Sequence, residues 1–181
     1  AALKSALDMS GNTLRPTSHF LHSGSSDKTW NSFLVGNAIC AHAAQSTLNI
    51  PWLVDIEKLT GHYTVIPPLA PGAKRPDYLG RTTNRAWHVF ESKGRSSPNI
   101  TKADFRDWKT QARAVSHVNG NQIGYNIVSV AHLKQSAEWN LLWRDPPVAE
   151  FGHHVRFEED YFFAAYYSEI TEFLQPRLES A

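Results

Sequence analysis

Cysteine occurs once in the 181 residues, so the chain offers neither an internal disulfide nor a thiolate cluster for a metal. That lone thiol, Cys40, suits a reducing compartment, and a cytoplasmic location is the expectation. No apolar run approaches the roughly 20 residues of a membrane-spanning helix. No signal-peptide pattern opens the chain either, and no membrane partner is expected. The chain begins at Ala1 rather than at methionine, as expected of a processed product or a piece of a larger parent protein. Charge of one sign is also lacking: 18 Lys and Arg against 17 Asp and Glu give +1 with the nine histidines neutral. No global field therefore draws in a polyanion, and any nucleic-acid affinity must rest on local patches. A Gly-rich phosphate loop, a Gly-x-Ser-x-Gly elbow and a Cys-based metal motif are all absent. Internal repeats, low-complexity tracts and linkers are missing too. A single domain over 1–181 is expected, with a core over about 29–145 and a C-terminal helix over about 157–175.

What is present reads as alternating helices and strands. Ala1 to Met9 is compatible with a short helix. Ser26 is a good N-cap for a helix over 29–47, on which Trp30, Phe33, Leu34, Ala38, Ala41 and Ala44 recur at helical spacing, with Asn37 on the same stripe. Strands are expected near 62–66, 75–79 and 86–94, with Pro71-Gly72 as a turn and Arg81–Asn84 as the hairpin connection. Thr101-Lys102-Ala103-Asp104 forms a capping box for a helix over 102–118. Further strands are expected over 125–133 and 139–143, and an aromatic helix from Phe157 to Leu174. This order predicts an α/β (α+β) fold, a mixed central sheet flanked by helices.

The chemistry concentrates in Pro76-Asp77 and, fourteen residues after the aspartate, Glu91-Ser92-Lys93. Strand alternation puts Trp87, Val89, Glu91 and Lys93 on one face. If Asp77 ends the neighbouring strand, two carboxylates and one ammonium meet. Hard oxygen ligands suit Mg2+, which usually keeps several waters and needs only one or two carboxylates. A blander arrangement gives the same letters, an ordinary hairpin with a Lys93–Asp77 salt bridge on a solvated face.

The Pro-Asp, hairpin, Glu-x-Lys pattern resembles the PD-(D/E)xK nuclease superfamily, with its restriction-endonuclease-like fold, over about Trp30 to Trp143. The resemblance implies a metal-dependent endonuclease acting on DNA. It further implies that Asp77 and Glu91 hold Mg2+ (or Mn2+ in its place), that the Ser92 carbonyl adds a ligand, and that Lys93 orients or activates the attacking water. Many members carry another acid on the first helix; here Asn37 stands as a neutral substitute, or Asp55 or Glu57 from the next segment. Some place a glutamine on the helix after the site, which corresponds to Gln111, although the tyrosine often found four residues on is Val115 here.

Lys102, Arg106, Lys109 and Arg113 share one helical face, a row suited to phosphates or to plain solvation. Arg95 shares strand parity with Glu91 and Lys93 and is the best placed of the hairpin cations Lys74, Arg75, Arg81, Arg85 and Arg95. His117 and the pair His153-His154 are expected in exposed loops. Core packing accounts for one side of the aromatic C-terminal helix, and the rest suits a homodimer surface or stacked bases. RNA hydrolysis, and a non-catalytic nucleic-acid- or protein-binding module on the same scaffold, remain alternatives.

Overall fold

The computed structural model describes residues 2–11, 13–67, 73–135, 137–146 and 152–178; the side chains of residues 2, 169, 170 and 172–178 fall outside that description. The expected Pro71-Gly72 turn and the Phe173 side chain therefore lie outside the described residues. The fold is mixed α and β. After α1 (Ala2–Ala6), β1 (Leu7–Asp8), β2 (Arg15–Pro16) and α2 (Ser18–His22) comes the long helix α3 (Ser25–Leu48). Then follow β3 (Trp52–Asp55), a 3-10 turn (Ile56–Leu59), β4 (Tyr63–Ile66), β5 (Tyr78–Arg81), β6 (Trp87–Arg95) and α4 (Lys102–Ala112). The rest is β7 (Val115–Val118), β8 (Asn121–Gln122), β9 (Asn126–Leu133), β10 (Trp139–Arg144), β11 (His153–Phe157) and α5 (Glu159–Leu178).

Two sheets share the core. The larger has strand order β10-β9-β6-β5-β3, with β6 and β9 parallel and the other pairs antiparallel. The smaller is β4-β11-β7-β8. The meander is thus β3-β5-β6 rather than one built on 62–66: β4 pairs with β11 and leaves the larger sheet. Helix α4 is the crossover that lets β9 return parallel to β6, as such a connection requires.

Each face of the larger sheet is covered. Phe90 and Ile127 pack with Cys40 and Ala44 of α3 on one side. On the other, Val128 and Val130 pack with Trp108 and Ala112 of α4. Beside α4 on that second face, Val54, Leu79, Trp87 and Val89 join Val115, Val118 and Val155 of the smaller sheet and Phe162 of α5. Glu91 and Lys93 lie opposite Val128 and Val130 in the β6–β9 register, so strand parity holds and the carboxylate and ammonium extend an apolar face.

Several expectations are corrected. Helix α3 starts at Ser25 with Gly24 as a cap lacking a side-chain bond, and it buries Asn31, Ser32, Val35, Gly36, Cys40, Ala43 and Ala44. Trp30 and Phe33 are exposed instead. Close approach explains the rotated stripe: a Cβ on Gly36 would lie 2.7 Å from the Gly94 nitrogen, and one on Gly94 only 1.6 Å from the Ser32 carbonyl oxygen. Only small residues fit that contact, so the large apolar side chains turn away. Helix α4 stops at Ala112, because Val115–Val118 is β-branched enough to pair with β11. Phe157 belongs to β11, where it faces Tyr63, so the last helix begins at Glu159 and runs to Leu178. His117, His153 and His154 sit on paired strands rather than in loops, the rings of His117 and His154 being 4.2 Å apart.

Candidate functional site

Asp77 immediately precedes β5, and its main-chain carbonyl accepts from the Ile56 N–H over 3.0 Å. Arg75, two residues earlier, donates to the Tyr63 hydroxyl and ties this approach segment to the smaller sheet. β5 and β6 pair only as far as Tyr78 and Phe90, which leaves the Ser92 N–H free of that ladder. It donates instead to Asp77 Oδ2 at 2.7 Å. The aspartate is thereby latched to the strand residue between Glu91 and Lys93.

Lys93 Nζ lies 3.3 Å from Asp77 Oδ2 and forms an ion pair with Glu91 Oε1. The predicted trio therefore meets. The solvated-hairpin alternative predicts an exposed face, yet the Glu91 side chain is 0% exposed, against 26% for Lys93 and 33% for Asp77. Besides the touching Lys93 ammonium, only the Asp77 main chain acts on the Glu91 carboxylate as a hydrogen-bond donor among the described residues. A buried carboxylate left in that condition is costly unless something else satisfies it.

Burial sets the electrostatics. It pushes the Glu91 carboxyl up to about 7, with the Asp77 charge adding and Lys93 opposing. Burial likewise raises Asp77, against the pull of Lys93 and the Ser92 N–H, and the charge of Asp55 raises it further. For Lys93, burial acts downward, but the two carboxylates outweigh it and the ammonium titrates above its usual range. The lysine is thus held charged beside a carboxyl poised near neutrality.

Magnesium fits this donor set in kind: two carboxylates converge on one ammonium, one of them fully buried, while three or more His, Cys, Asp or Glu side chains do not cluster anywhere among the described residues. The role that geometry gives Ser92 is the N–H donated to Asp77.

Asn37 and Asp55 lie on the α3 side of the sheet, where they line a cavity of about 220 Å³ with Leu53, Lys58, Tyr78 and Tyr166. Asn37 Oδ1 is buried there without a hydrogen-bond partner, and the Asp55 carboxylate accepts from the Glu57 N–H at 2.9 Å, capping the 3-10 turn. Cys40, beneath Ser92 and Ser129, has its thiol pushed by burial up to about 12, so it is no nucleophile at neutral pH.

The basic candidates separate. Lys102, Arg106, Lys109 and Gln111 line a cleft of about 1160 Å³ along the outer side of α4, joined by Lys74, Arg113 and His153. Arg95 is otherwise engaged: it pairs with Asp104 at 3.0 Å, and its guanidinium carbon sits 5.5 Å from the Trp108 ring centre. Neither Asp77, Glu91 nor Lys93 lines that cleft. His153, expected in an exposed loop, lines the cleft from β11 instead; the alternation in His153–Phe157 marks that strand but is obscured by its charged and histidine side chains.

No protein-family model matches the chain, and neither the curated proteins nor the solved structures compared with it give a match.

Proposed function

We propose that the protein is a metal-dependent endonuclease that hydrolyses phosphodiester bonds of DNA, with Asp77, Glu91 and Lys93 as its catalytic group. The observation that carries this reading is the fully buried Glu91 carboxylate, paired with the Lys93 ammonium and facing an Asp77 latched by the Ser92 N–H. A merely structural ion pair has little use for such an arrangement, since an apolar pair is usually as stable there. The order α3, β3-β5-β6 meander, α4 crossover and parallel β9 also supports a restriction-endonuclease-like fold.

In this reading Asp77 and Glu91 hold the metal, with the Ser92 carbonyl as a further ligand. Magnesium supplies charge neutralisation at the phosphate and a water of lowered pKa. The chain's own residues do the rest. Asp77 is kept in place by the Ser92 N–H, and the apolar surroundings of Glu91 exclude bulk water. The Lys93 ammonium, held charged beside the two carboxylates, would donate to a phosphate oxygen as negative charge develops.

The experiment is cleavage of plasmid, single-stranded DNA and RNA in Mg2+ or Mn2+. Activity is expected on DNA with either metal and is expected to disappear in Glu91→Ala and Lys93→Ala. Background cleavage that survives both substitutions, or a wild-type protein inert on every substrate, overturns the proposal. Cleavage confined to RNA keeps the chemistry and moves the substrate. A second reading, a non-catalytic binding module on this scaffold, draws on Lys93 already contacting both carboxylates.

A further inference from the structure

The cleft along α4 joins a row of cations to an apolar wall. Lys102, Arg106, Lys109 and Arg113 line it at helical spacing, all exposed, and Lys74 adds a fifth fixed positive charge. Asp107 is its one acidic lining residue among the described residues. No ion pair among the described residues engages any of the five cations. Ile100 and Phe105 add apolar surface, with Phe105 half-buried against Trp108. At the other end the His153 N–H donates to the Ala114 carbonyl, which fixes β11 against the end of α4.

The dimensions match a polynucleotide. Eleven residues of helix rise about 16 Å, from Lys102 to Arg113. One strand advances about 3.4 Å per nucleotide when stacked in a duplex and more when extended, so the row spans at most about five phosphates. A charged row beside an aromatic side chain is how single strands are held, phosphates on the cations and bases on apolar faces. A net charge of +1 over the whole chain makes this local excess the feature that selects a polyanion.

We propose that this cleft is the track for one strand of nucleic acid, its phosphates held by Lys102, Arg106, Lys109, Arg113 and Lys74, at most one on each, with a base against Phe105. Lys74 stands three residues before Asp77, so the track leads toward the carboxylates. The inference rests on the nuclease reading for the identity of the polyanion, and it assigns Arg95 no part.

The test reads binding without cleavage: Glu91→Gln protein, in chelator, against fluorescent oligothymidylates of increasing length over a range of salt. Affinity is expected to rise steeply to about five nucleotides and then flatten. The slope of log K against log salt should be no steeper than about −3.5, from about 0.7 per phosphate on a single strand and at most five contacts. Lys109→Gln and Arg113→Gln should each reduce that slope by nearly one contact. Lys4→Gln, on α1 behind α3, should leave it unchanged. A duplex bound with a slope no steeper than about −4.5, the same contacts at about 0.9 each, supports a one-strand track. A duplex bound far more steeply, or an affinity that ignores both Lys109→Gln and Arg113→Gln, overturns it. If the nuclease reading alone fails, the wild type binds with this slope and cuts nothing. If the track alone fails, Lys109→Gln and Arg113→Gln still cut DNA in Mg2+ at unchanged KM.

Discussion

The Ser92 N–H donates to Asp77 Oδ2 at 2.7 Å, so the residue between the two strand-borne members of the group positions the third. The aspartate sits outside the β5 ladder, and this bond together with the ion pair from Lys93 fixes its carboxylate. A site assembled this way depends on the acceptor and on the charge separately.

Asp77→Asn keeps an acceptor for the Ser92 N–H while removing the charge. The fold should survive, and metal-dependent cleavage should fall by at least ~10²-fold, beyond the usual effect of losing a group that merely supports a ligand. Circular dichroism and a plasmid assay read the two parts. Full activity in a folded Asp77→Asn protein contradicts the role given to its charge.

The pH dependence of stability follows from Glu91. Its carboxyl titrates at about 7 when folded, against 4.5 ordinarily. The folded state keeps a proton that the unfolded chain releases, so this contribution is present below about 4.5 and is lost as pH rises through about 7. Asp77 is displaced in the same direction. In metal-free buffer, Tm should fall between about pH 5 and 7.5, and Glu91→Gln should flatten that fall. Added Mg2+ should raise Tm at the upper end for the wild type alone. Identical profiles for the two proteins would refute the assignment.

Gly94→Ala tests the helix contact that shapes the site from behind. The new methyl group would meet the Ser32 carbonyl at 1.6 Å, backbone against backbone, and α3 must shift to admit it. A loss of roughly 3 kcal/mol is expected, read as a lower urea midpoint at unchanged m. A midpoint within error of wild type would show that α3 and β6 are not locked together there.

Arg81 tests the attachment of α5. Its side chain is nearly buried, pairs with the half-exposed Glu159 at 2.7 Å, and lies over Trp87 and Phe163 at 5.2 and 5.1 Å. Arg81→Ala should cost about 3 kcal/mol through lost packing and an unpaired partner. Glu159→Gln, which keeps an acceptor and is open to solvent, should cost about 1 kcal/mol. Equal costs would mean that charge, rather than packing, holds the helix.

The site was more legible than the frame around it. Pro76-Asp77 and Glu91-Ser92-Lys93 could be joined from sequence because period-two alternation alone puts Trp87, Val89, Glu91 and Lys93 on one face. The place of 62–66 was not legible: its alternation marks a strand, but its partner, β11, lies almost ninety residues on and carries histidines and an arginine that hide the pattern. The buried face of α3 was misread for a related reason. Hydrophobic spacing points to Trp30 and Phe33, while the helix is docked through Ser32 and Gly36, whose small size is invisible to a hydrophobicity pattern. Arg95 looked free by parity, but Asp104, already fixed by the capping box, lay within reach once the helix folded back.

The central claim is that Asp77 and Glu91 together hold a divalent metal beside Lys93. Anomalous scattering from a crystal soaked in Mn2+ tests it most directly. The account predicts a single strong peak between the two carboxylates, lost in Glu91→Gln, with the Lys93 ammonium moved off Glu91. A lysine still bridging both carboxylates, and no anomalous density near them at high Mn2+, would contradict it.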